Sequence, residues 1–210
     1  MKLNERGLLI VISGPSGVGK SSVRKALFDM PNHDLAYSVS MTTRLPRTSE
    51  QEGIDYYFVS EEVFEDKIKN GEFLEWANFV GHYYGTPRDK VEEMLDEGKQ
   101  VVLEIEVDGA LQVRRQMKDA VFIFLVPPAK EALINRLKSR GTESEKELQE
   151  RIDKAESEYL LAYKYDYIVV NDEVNNAADR IMAIIRAEHA RTERTIHKYI
   201  ELMEGEDSEE

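Results

Sequence analysis

Four strongly apolar runs recur along the chain. They are LLIVIS at 8–13, VVLEIEV at 101–107, VFIFLV at 121–126 and YIVV at 167–170. Runs this rich in β-branched residues predict strands buried on both faces, as in a parallel sheet. Segments with helical periodicity lie between or after them, at 88–97, 109–117, 129–139, 143–164 and 175–200. Buried strands that alternate with helices predict an α/β fold with a parallel sheet.

Residues 37–87 depart from this alternation. They contain short aromatic strand-like runs, separated by turn residues and by one short helical stretch at 60–70. This pattern predicts a small, mostly antiparallel insertion into the parallel-sheet core. At the end of the chain, residues 201–210 include the acidic run EGEDSEE, which has no apolar residue. We therefore expect this tail to be disordered.

Composition narrows the function classes. The 210 residues are 41% hydrophobic and carry a formal net charge of −13, so the overall field repels nucleic acid and anionic membranes. The absence of cysteine excludes disulfides, thiolate metal sites and cysteine nucleophiles. The first apolar run is too short for a signal peptide or a membrane span, and we expect a cytoplasmic protein. The histidines are scattered along the chain and lack the spacing typical of metal ligands: His33, His82, His189 and His197.

The strongest chemical signal is GPSGVGKS, which fits G-x-x-x-x-G-K-S/T at every fixed position. A buried strand precedes it and a helical stretch follows it, which argues against a chance glycine-rich turn. Glycines let backbone N–H groups converge on phosphate oxygens, and the helix adds its positive N-terminal end. Lys20 would then reach the β- and γ-phosphates, and Ser21 would ligate Mg²⁺. The predicted ATP-binding loop consists of Gly14, Pro15, Ser16, Gly17, Val18, Gly19, Lys20, Ser21 and Ser22.

A second anion site is indicated by SVSMTTRLPRTS at 38–49. Arg44 and Arg47 stand three residues apart among hydroxyl side chains, in a stretch without carboxylates. The planar guanidinium suits a phosphate because it offers two parallel charge-assisted hydrogen bonds. The alternative is a solvated loop in which these arginines pair with Glu50 or Glu52.

A series of motifs, in this order and spacing, closely resembles the guanylate kinase family: GPSGVGKSS, SVSMTTRLPR, GIDYYFVS, EFLEWA, GHYYGT, RLKSRGT and IVVND. The resemblance extends from about Leu8 to about residue 190. It implies a parallel-sheet phosphate-loop kinase core with a mixed or antiparallel GMP-binding insertion and a mobile helical lid. The corresponding boundaries are 1–36, 88–128 and 156–200 for the core, 37–87 for the insertion and 129–155 for the lid.

The resemblance also implies the GMP-binding residues, with Arg44, Arg47, Tyr56 and Tyr84 at the phosphate. Glu75 lies among aromatic and apolar residues, a costly place for an idle carboxylate. An ionised carboxylate only accepts hydrogen bonds, and guanine presents two adjacent donors where adenine does not. In the family the matching glutamate makes this contact, and Ser40 and Thr86 match hydroxyls that face the base. The alternative is a surface glutamate on a strand.

One segment departs from the family pattern. LEIEVDGA at 103–110 matches a motif that usually reads D-x-Q-G, and here Glu106 occupies the aspartate position and Asp108 the glutamine position. We keep Glu106 as a GMP-site residue and leave the role of Asp108 open. Apolar and acidic residues alternate in this segment, which also permits a structural interpretation in which these carboxylates occupy the polar face of a strand.

The lid segment carries three arginines, of which Arg136 and Arg140 stand four apart on one predicted helical face and Arg151 lies on the next helix. The resemblance implies that they stabilise charge on the transferred phosphoryl group when the lid closes. The alternative is salt bridging with Glu143, Glu147 and Glu150. The family resemblance also places Asn171 near the adenine of ATP. The implied catalytic set is Lys20, Arg47, Arg136, Arg140 and Arg151.

These signals together predict a guanylate kinase that uses ATP with Mg²⁺ and phosphorylates GMP and dGMP, without nucleic acid or membrane partners. Two alternatives remain. One is a non-catalytic guanylate-kinase-like module that binds phosphorylated peptides, against which the intact loop argues. The other is a kinase for a different phosphorylated acceptor, against which the combination of Glu75, Ser40 and Thr86 argues. The sequence leaves the oligomeric state open, including a homodimer.

Overall fold

The computed structural model describes residues 6–31, 33–138 and 145–206. The strands are β1 (Leu9–Ser13), β2 (Leu35–Tyr37), β3 (Met41–Thr42), β4 (Tyr57–Phe58), β5 (Phe73–Phe79), β6 (His82–Pro87), β7 (Gln100–Glu104), β8 (Val121–Val126) and β9 (Tyr167–Val170). The helices are α1 (Lys20–Phe28), α2 (Glu61–Lys69), α3 (Arg88–Asp96), α4 (Val107–Gln116), α5 (Lys130–Lys138), α6 (Glu145–Tyr159), α7 (Val174–His189) and α8 (Thr192–Glu206). A short 3₁₀ turn spans Ala162–Lys164.

The core is a five-stranded sheet in the order β2-β7-β1-β8-β9, and every neighbouring pair is parallel. The central strand β1 is buried on both faces, because alternate residues pack against different helices. Ile10 and Ile12 belong to the cluster that contains α1 and α7. Leu9 and Val11 belong to the cluster that contains α3 and α4. The predicted α/β fold with a parallel sheet is confirmed.

The insertion forms a second sheet in the order β4-β3-β6-β5. Its β3–β6 and β5–β6 pairs are antiparallel, and β3–β4 is parallel, so the sheet is mixed. Helix α2 covers it, and the Phe64 ring stacks on the rings of Phe73 and Tyr83 at centroid distances of 4.3 and 5.3 Å. Ser60 caps α2 by accepting a hydrogen bond from the Val63 N–H.

The C-terminal region differs from its sequence prediction. The single helix expected at 175–200 is two helices, α7 and α8, separated at Ala190 and Arg191. Helix α8 continues through Glu206, into the tail expected to be disordered. The apolar spacing of Ile196, Tyr199, Ile200 and Met203 gives this helix one apolar side, which explains why helical structure extends so far. None of the helices in the described part of the chain is long and apolar enough to cross a membrane.

Candidate active site

The phosphate loop connects β1 to α1 at the carboxyl end of the core sheet, the edge where α/β folds bind ligands. Gly14 has a φ of 145°, and a Cβ there would lie 2.4 Å from the Leu125 carbonyl oxygen, so only glycine fits. Gly19 adopts a left-handed conformation at the N-terminus of α1. The loop therefore has the backbone geometry that its sequence motif predicts.

Lys20, the first residue of α1, bends back over this loop. Its ammonium donates hydrogen bonds to the carbonyl oxygens of Gly14 at 2.6 Å and Pro15 at 3.3 Å. Burial lowers the pKa of Lys20, and the nearby carboxylates of Glu106, Glu158 and Glu104 partly oppose that effect. An anion bound in the loop would favour the charged form of Lys20 further.

Ser21 follows on the same helix, and its hydroxyl donates a hydrogen bond to Glu104, the last residue of β7. The other carboxylate oxygen of Glu104 accepts from the Arg24 Nε at 2.7 Å, and Arg24 also lies over the Tyr37 ring. Sequence reasoning missed Glu104. The available signal was its place at the end of a predicted buried strand, because phosphate-loop enzymes hold the metal partly through an acidic residue outside the loop.

This pair of oxygen donors fits a magnesium ion. Mg²⁺ prefers oxygen ligands and is usually held by one or two carboxylates together with substrate phosphates. Within the described ranges, no cluster of three or more metal-ligating acids, histidines or cysteines occurs. The hydroxyl of Ser21 and the carboxylate of Glu104, which contact each other beside the loop, are two oxygen ligands that could hold the ion.

Glu75 lies on β5 with a residue exposure of only 8%. One carboxylate oxygen accepts a hydrogen bond from the Thr86 hydroxyl at 2.6 Å. Burial raises the pKa of Glu75, and its hydrogen bonds with Thr86 only partly oppose that rise. The other oxygen faces α4 so closely that a Cβ at Gly109 would lie 3.0 Å from it. This is a confined carboxyl group rather than an idle surface glutamate.

A cleft of about 600 Å³ separates the core from the insertion. It brings together predicted residues from both regions, namely Lys20, Ser40, Tyr56, Glu75, Tyr84 and Glu106. Four further residues, to which the sequence analysis assigned no role, line the same cleft: Glu104, Asp108, Gln112 and Lys154. The buried Thr86 lies behind Glu75. The phosphate-loop lysine and the buried glutamate therefore face one shared space.

The two insertion arginines differ in their contacts. The guanidinium of Arg44 makes a forked pair with Glu50, at 2.8 and 3.0 Å, and lies over the Tyr56 ring. Hydrogen bonding with Glu50 raises the pKa of Arg44 and lowers that of Glu50. The Arg47 backbone N–H donates to Glu50 at 2.8 Å, while its side chain is exposed. The pairing that the sequence left as an alternative thus occurs at Arg44.

The two carboxylates of the unusual segment lie at the start of α4. Glu106 is exposed, and its carboxylate accepts a hydrogen bond from the Lys154 ammonium of α6 at 3.0 Å. Lys154 also lies 3.7 Å from a carboxylate oxygen of the buried Glu158. Asp108 is exposed in the first turn of the helix. The Glu106 carboxylate therefore bridges the core and the lid segment.

The described lid arginines both reach the phosphate loop. Arg151 on α6 donates to the Ser16 hydroxyl at 2.6 Å. Arg136 on α5 donates to the carbonyl oxygens of Val18 and Asn171, each at 3.0 Å. Arg140 and Glu143 lie outside the described residues, so the structure says nothing of their contacts.

Asn171 follows β9 and is buried beneath the phosphate loop, with a residue exposure of 2%. Its side-chain amide donates to the Val18 carbonyl oxygen at 2.8 Å. The side-chain oxygen is buried and has no hydrogen-bond partner among the described residues. In this position Asn171 supports the loop from below.

Residues 6–188 match the family model described as guanylate kinase. The chain is 62% identical over 205 residues to the guanylate kinase of Onion yellows phytoplasma (strain OY-M), covering 97% of each chain. It is 55% identical over 203 residues to that of Listeria monocytogenes serotype 4b (strain F2365), covering 97% of this chain and 99% of the relative. The crystal structure of guanylate kinase from Anaplasma phagocytophilum superimposes with a TM-score of 0.70 and 36% identity, covering 91% and 90% of the two chains.

Proposed function

The chain belongs to the guanylate kinase family and is a nucleoside monophosphate kinase, and we propose that it transfers the γ-phosphoryl group of ATP to GMP, giving ADP and GDP. We extend the proposal to dGMP as an acceptor. The observation that carries it is the shared cleft, where the phosphate-loop Lys20 and the buried Glu75 face the same space. This arrangement allows one nucleotide's phosphates and another nucleotide's base to be held on opposite sides of one cleft.

On the donor side, the loop's N–H groups and the N-terminus of α1 bind the phosphates of ATP. Lys20 leaves the carbonyl oxygens of Gly14 and Pro15 and pairs with the β- and γ-phosphates. The contact between Arg151 and Ser16 places a second cation beside the loop. We assign Arg136, Arg140 and Arg151 to charge stabilisation during transfer, because negative charge spreads over the equatorial oxygens of the transferred group.

We assign Mg²⁺ to the side of the loop where Ser21 and Glu104 meet. When bound with ATP, the ion supplies positive charge that neutralises the developing charge on the β- and γ-phosphate oxygens. In this proposal Ser21 gives up its hydrogen bond to Glu104. Arg24 keeps its ion pair with that carboxylate and fixes its orientation.

On the acceptor side, we assign the GMP phosphate to Arg44, Arg47, Tyr56 and Tyr84. The Arg44 fork is held by Glu50, which orients it over the Tyr56 ring. The exposed side chain of Arg47 is available to form a new forked contact with a phosphate. No general base is required, because positioning and charge stabilisation account for most of the catalysis of phosphoryl transfer.

For the base, we assign Glu75 to the two adjacent donors of guanine, N1–H and the exocyclic amine. Ser40 and Thr86 complete the polar surroundings. Burial raises the pKa of Glu75 and so disfavours its ionised form, whereas the two donors of guanine would favour that form. Adenine would bring an acceptor to the same carboxylate, leaving buried polar groups unpaired.

The test is ADP production from ATP and Mg²⁺ with GMP, dGMP, AMP, UMP and CMP offered separately. Turnover confined to GMP and dGMP is the expected result. Turnover with another acceptor would keep the kinase and overturn the assignment of the base. A folded protein that binds GMP but turns over none of the acceptors would instead support the non-catalytic module, a function that the intact phosphate loop argues against.

A further inference from the structure

Strand β5, which carries Glu75, lies at one edge of the insertion's sheet. One side of β5 pairs with β6, and this pairing has a register shift between Phe73 and Glu75. A bulge of this kind leaves its extra residue unpaired and locally disrupts the ladder of hydrogen bonds to the neighbouring strand. The other side of β5 faces helix α4 of the core. Whatever holds β5 at this point also sets the position of the Glu75 carboxylate.

Two glutamines of α4 form hydrogen bonds with the backbone of β5. The Gln112 side-chain oxygen accepts from the Trp76 N–H at 3.2 Å, and its nitrogen donates to the Trp76 carbonyl oxygen at 3.0 Å. One turn later, the Gln116 nitrogen donates to the Leu74 carbonyl oxygen at 2.8 Å. The residues on both sides of Glu75 are therefore held by α4.

Gln112 pairs with both backbone groups of Trp76, as a residue of a neighbouring strand would do in a sheet. A primary amide offers one acceptor and two donors, so a single side chain satisfies both backbone groups of one residue. The close approach at Gly109, one turn earlier on α4, brings the same helix against the Glu75 carboxylate. Helix α4 thus contacts β5 through three successive turns on one side.

We propose that Gln112 is a positioning residue for guanine recognition, and this rests on the proposed function of Glu75. By fixing the Trp76 backbone, Gln112 holds β5 in the position where the Glu75 carboxylate faces both donors of guanine. Without it, the bulged edge strand shifts, and the carboxylate loses its alignment with the exocyclic amine. Recognition by aligned hydrogen bonds is sensitive to such shifts, because small displacements weaken both bonds.

The experiment compares GMP with IMP, which keeps N1–H and lacks the exocyclic amine. Gln112→Met preserves the length of the side chain and removes both hydrogen bonds. We expect the ratio of kcat/KM for GMP over IMP to fall about tenfold, with the KM for ATP unchanged. Gln112→Glu keeps the acceptor for the Trp76 N–H but sets a carboxylate oxygen against the Trp76 carbonyl oxygen, and it should give a fall at least as large. Gln149→Met, on the exposed side of α6, is the matched control and should leave the ratio unchanged.

A double-mutant cycle with Glu75→Gln separates positioning from a general structural role. If Gln112 acts through Glu75, Gln112→Met has little further effect on the ratio in the Glu75→Gln background. An unchanged ratio in Gln112→Met, or effects that simply add, would overturn the inference. Should Gln112→Met fail to fold by its thermal unfolding curve, Gln112→Glu is scored by the same criteria. A wild-type protein without GMP turnover would instead refute the proposed function itself.

Discussion

In the phosphate loop the proposed binding groups are neighbours in the sequence, whereas in the insertion they come from residues as far apart as Ser40 and Thr86. The loop obtains its geometry from local backbone conformation, as the φ of Gly14 shows. The insertion obtains its geometry from contacts between two sheets and a helix of the core. A local site is readable from a short motif, and a dispersed site requires the fold.

The two regions also hold their charged groups differently. Lys20 donates to carbonyl oxygens of its own loop, which are neutral and easily exchanged for phosphate oxygens. Arg44 is held by a full carboxylate in a forked pair, which fixes its orientation. The comparison predicts that changes in the loop act mainly on turnover. Changes in the insertion should act mainly on GMP affinity and selectivity.

The largest expected effect is that of Lys20→Met, which removes the cation and keeps most of the side-chain volume. We expect kcat to fall by about 10³-fold, because Lys20 stabilises charge that develops during transfer. The measurement is steady-state turnover at saturating ATP and GMP. Lys25→Met, an exposed lysine of the same helix, is the control. Full turnover by Lys20→Met would show that Lys20 does not contribute to catalysis.

Arg47→Ala should have the second-largest effect, and it should change the KM for GMP rather than kcat. Its exposed side chain makes a charge-assisted contact only with bound GMP in our proposal. We therefore expect the KM for GMP to rise about 100-fold while the KM for ATP stays unchanged. Arg115→Ala, at an exposed arginine of α4, serves as the control. Equal rises in both KM values would contradict the separation of donor and acceptor regions.

Glu75→Gln should lower kcat/KM for GMP by more than about tenfold, because the amide presents a donor where guanine requires an acceptor. Steady-state kinetics with GMP measure this loss. If GMP use is unchanged, Glu75 does not read the base.

The same substitution, which impairs GMP use, should increase the stability of the folded protein. Burial raises the pKa of Glu75 in the folded protein, so its ionisation opposes folding. This penalty is absent below the unfolded-state pKa and develops as the pH rises through the folded-state pKa. Glu75→Gln should therefore raise Tm at pH 8, by about 2–4 °C for each kcal/mol relieved, with a smaller gain at pH 4. A lower Tm at pH 8 would contradict the buried-charge account.

The smallest expected effect is that of Gly109→Ala. The new methyl group would press on the Glu75 carboxylate at 3.0 Å, and the Thr86 hydroxyl holds that carboxylate from the other side. We expect the KM for GMP to rise about threefold, with the KM for ATP unchanged. Ala110 is already an alanine on the same helix, so an added methyl group does not by itself disfavour the helix. No change for GMP would mean that β5 moves freely against α4.

The residues that sequence reasoning missed share one property. Glu104, Gln112 and Lys154 contribute to the cleft through contacts with distant segments: Ser21, Trp76 and Glu106, respectively. Their sequence surroundings are ordinary, because a glutamate at a strand end or a glutamine on a helix is common. The start of α8 is likewise tied to a distant segment, because the Arg194 guanidinium donates a hydrogen bond to the Asp119 carbonyl oxygen at 2.9 Å.

The sequence alone determined the alternation of strands and helices, the phosphate loop and the family, because each of these is encoded in local pattern or contiguous motif. Only the tertiary structure decided that β5 is an edge strand bound by glutamines of α4. Only the fold buried Glu75, which raises the pKa of its carboxyl group. The physical reason is that burial and side-chain pairing depend on segments that are distant in sequence and become neighbours only when the core and the insertion pack together.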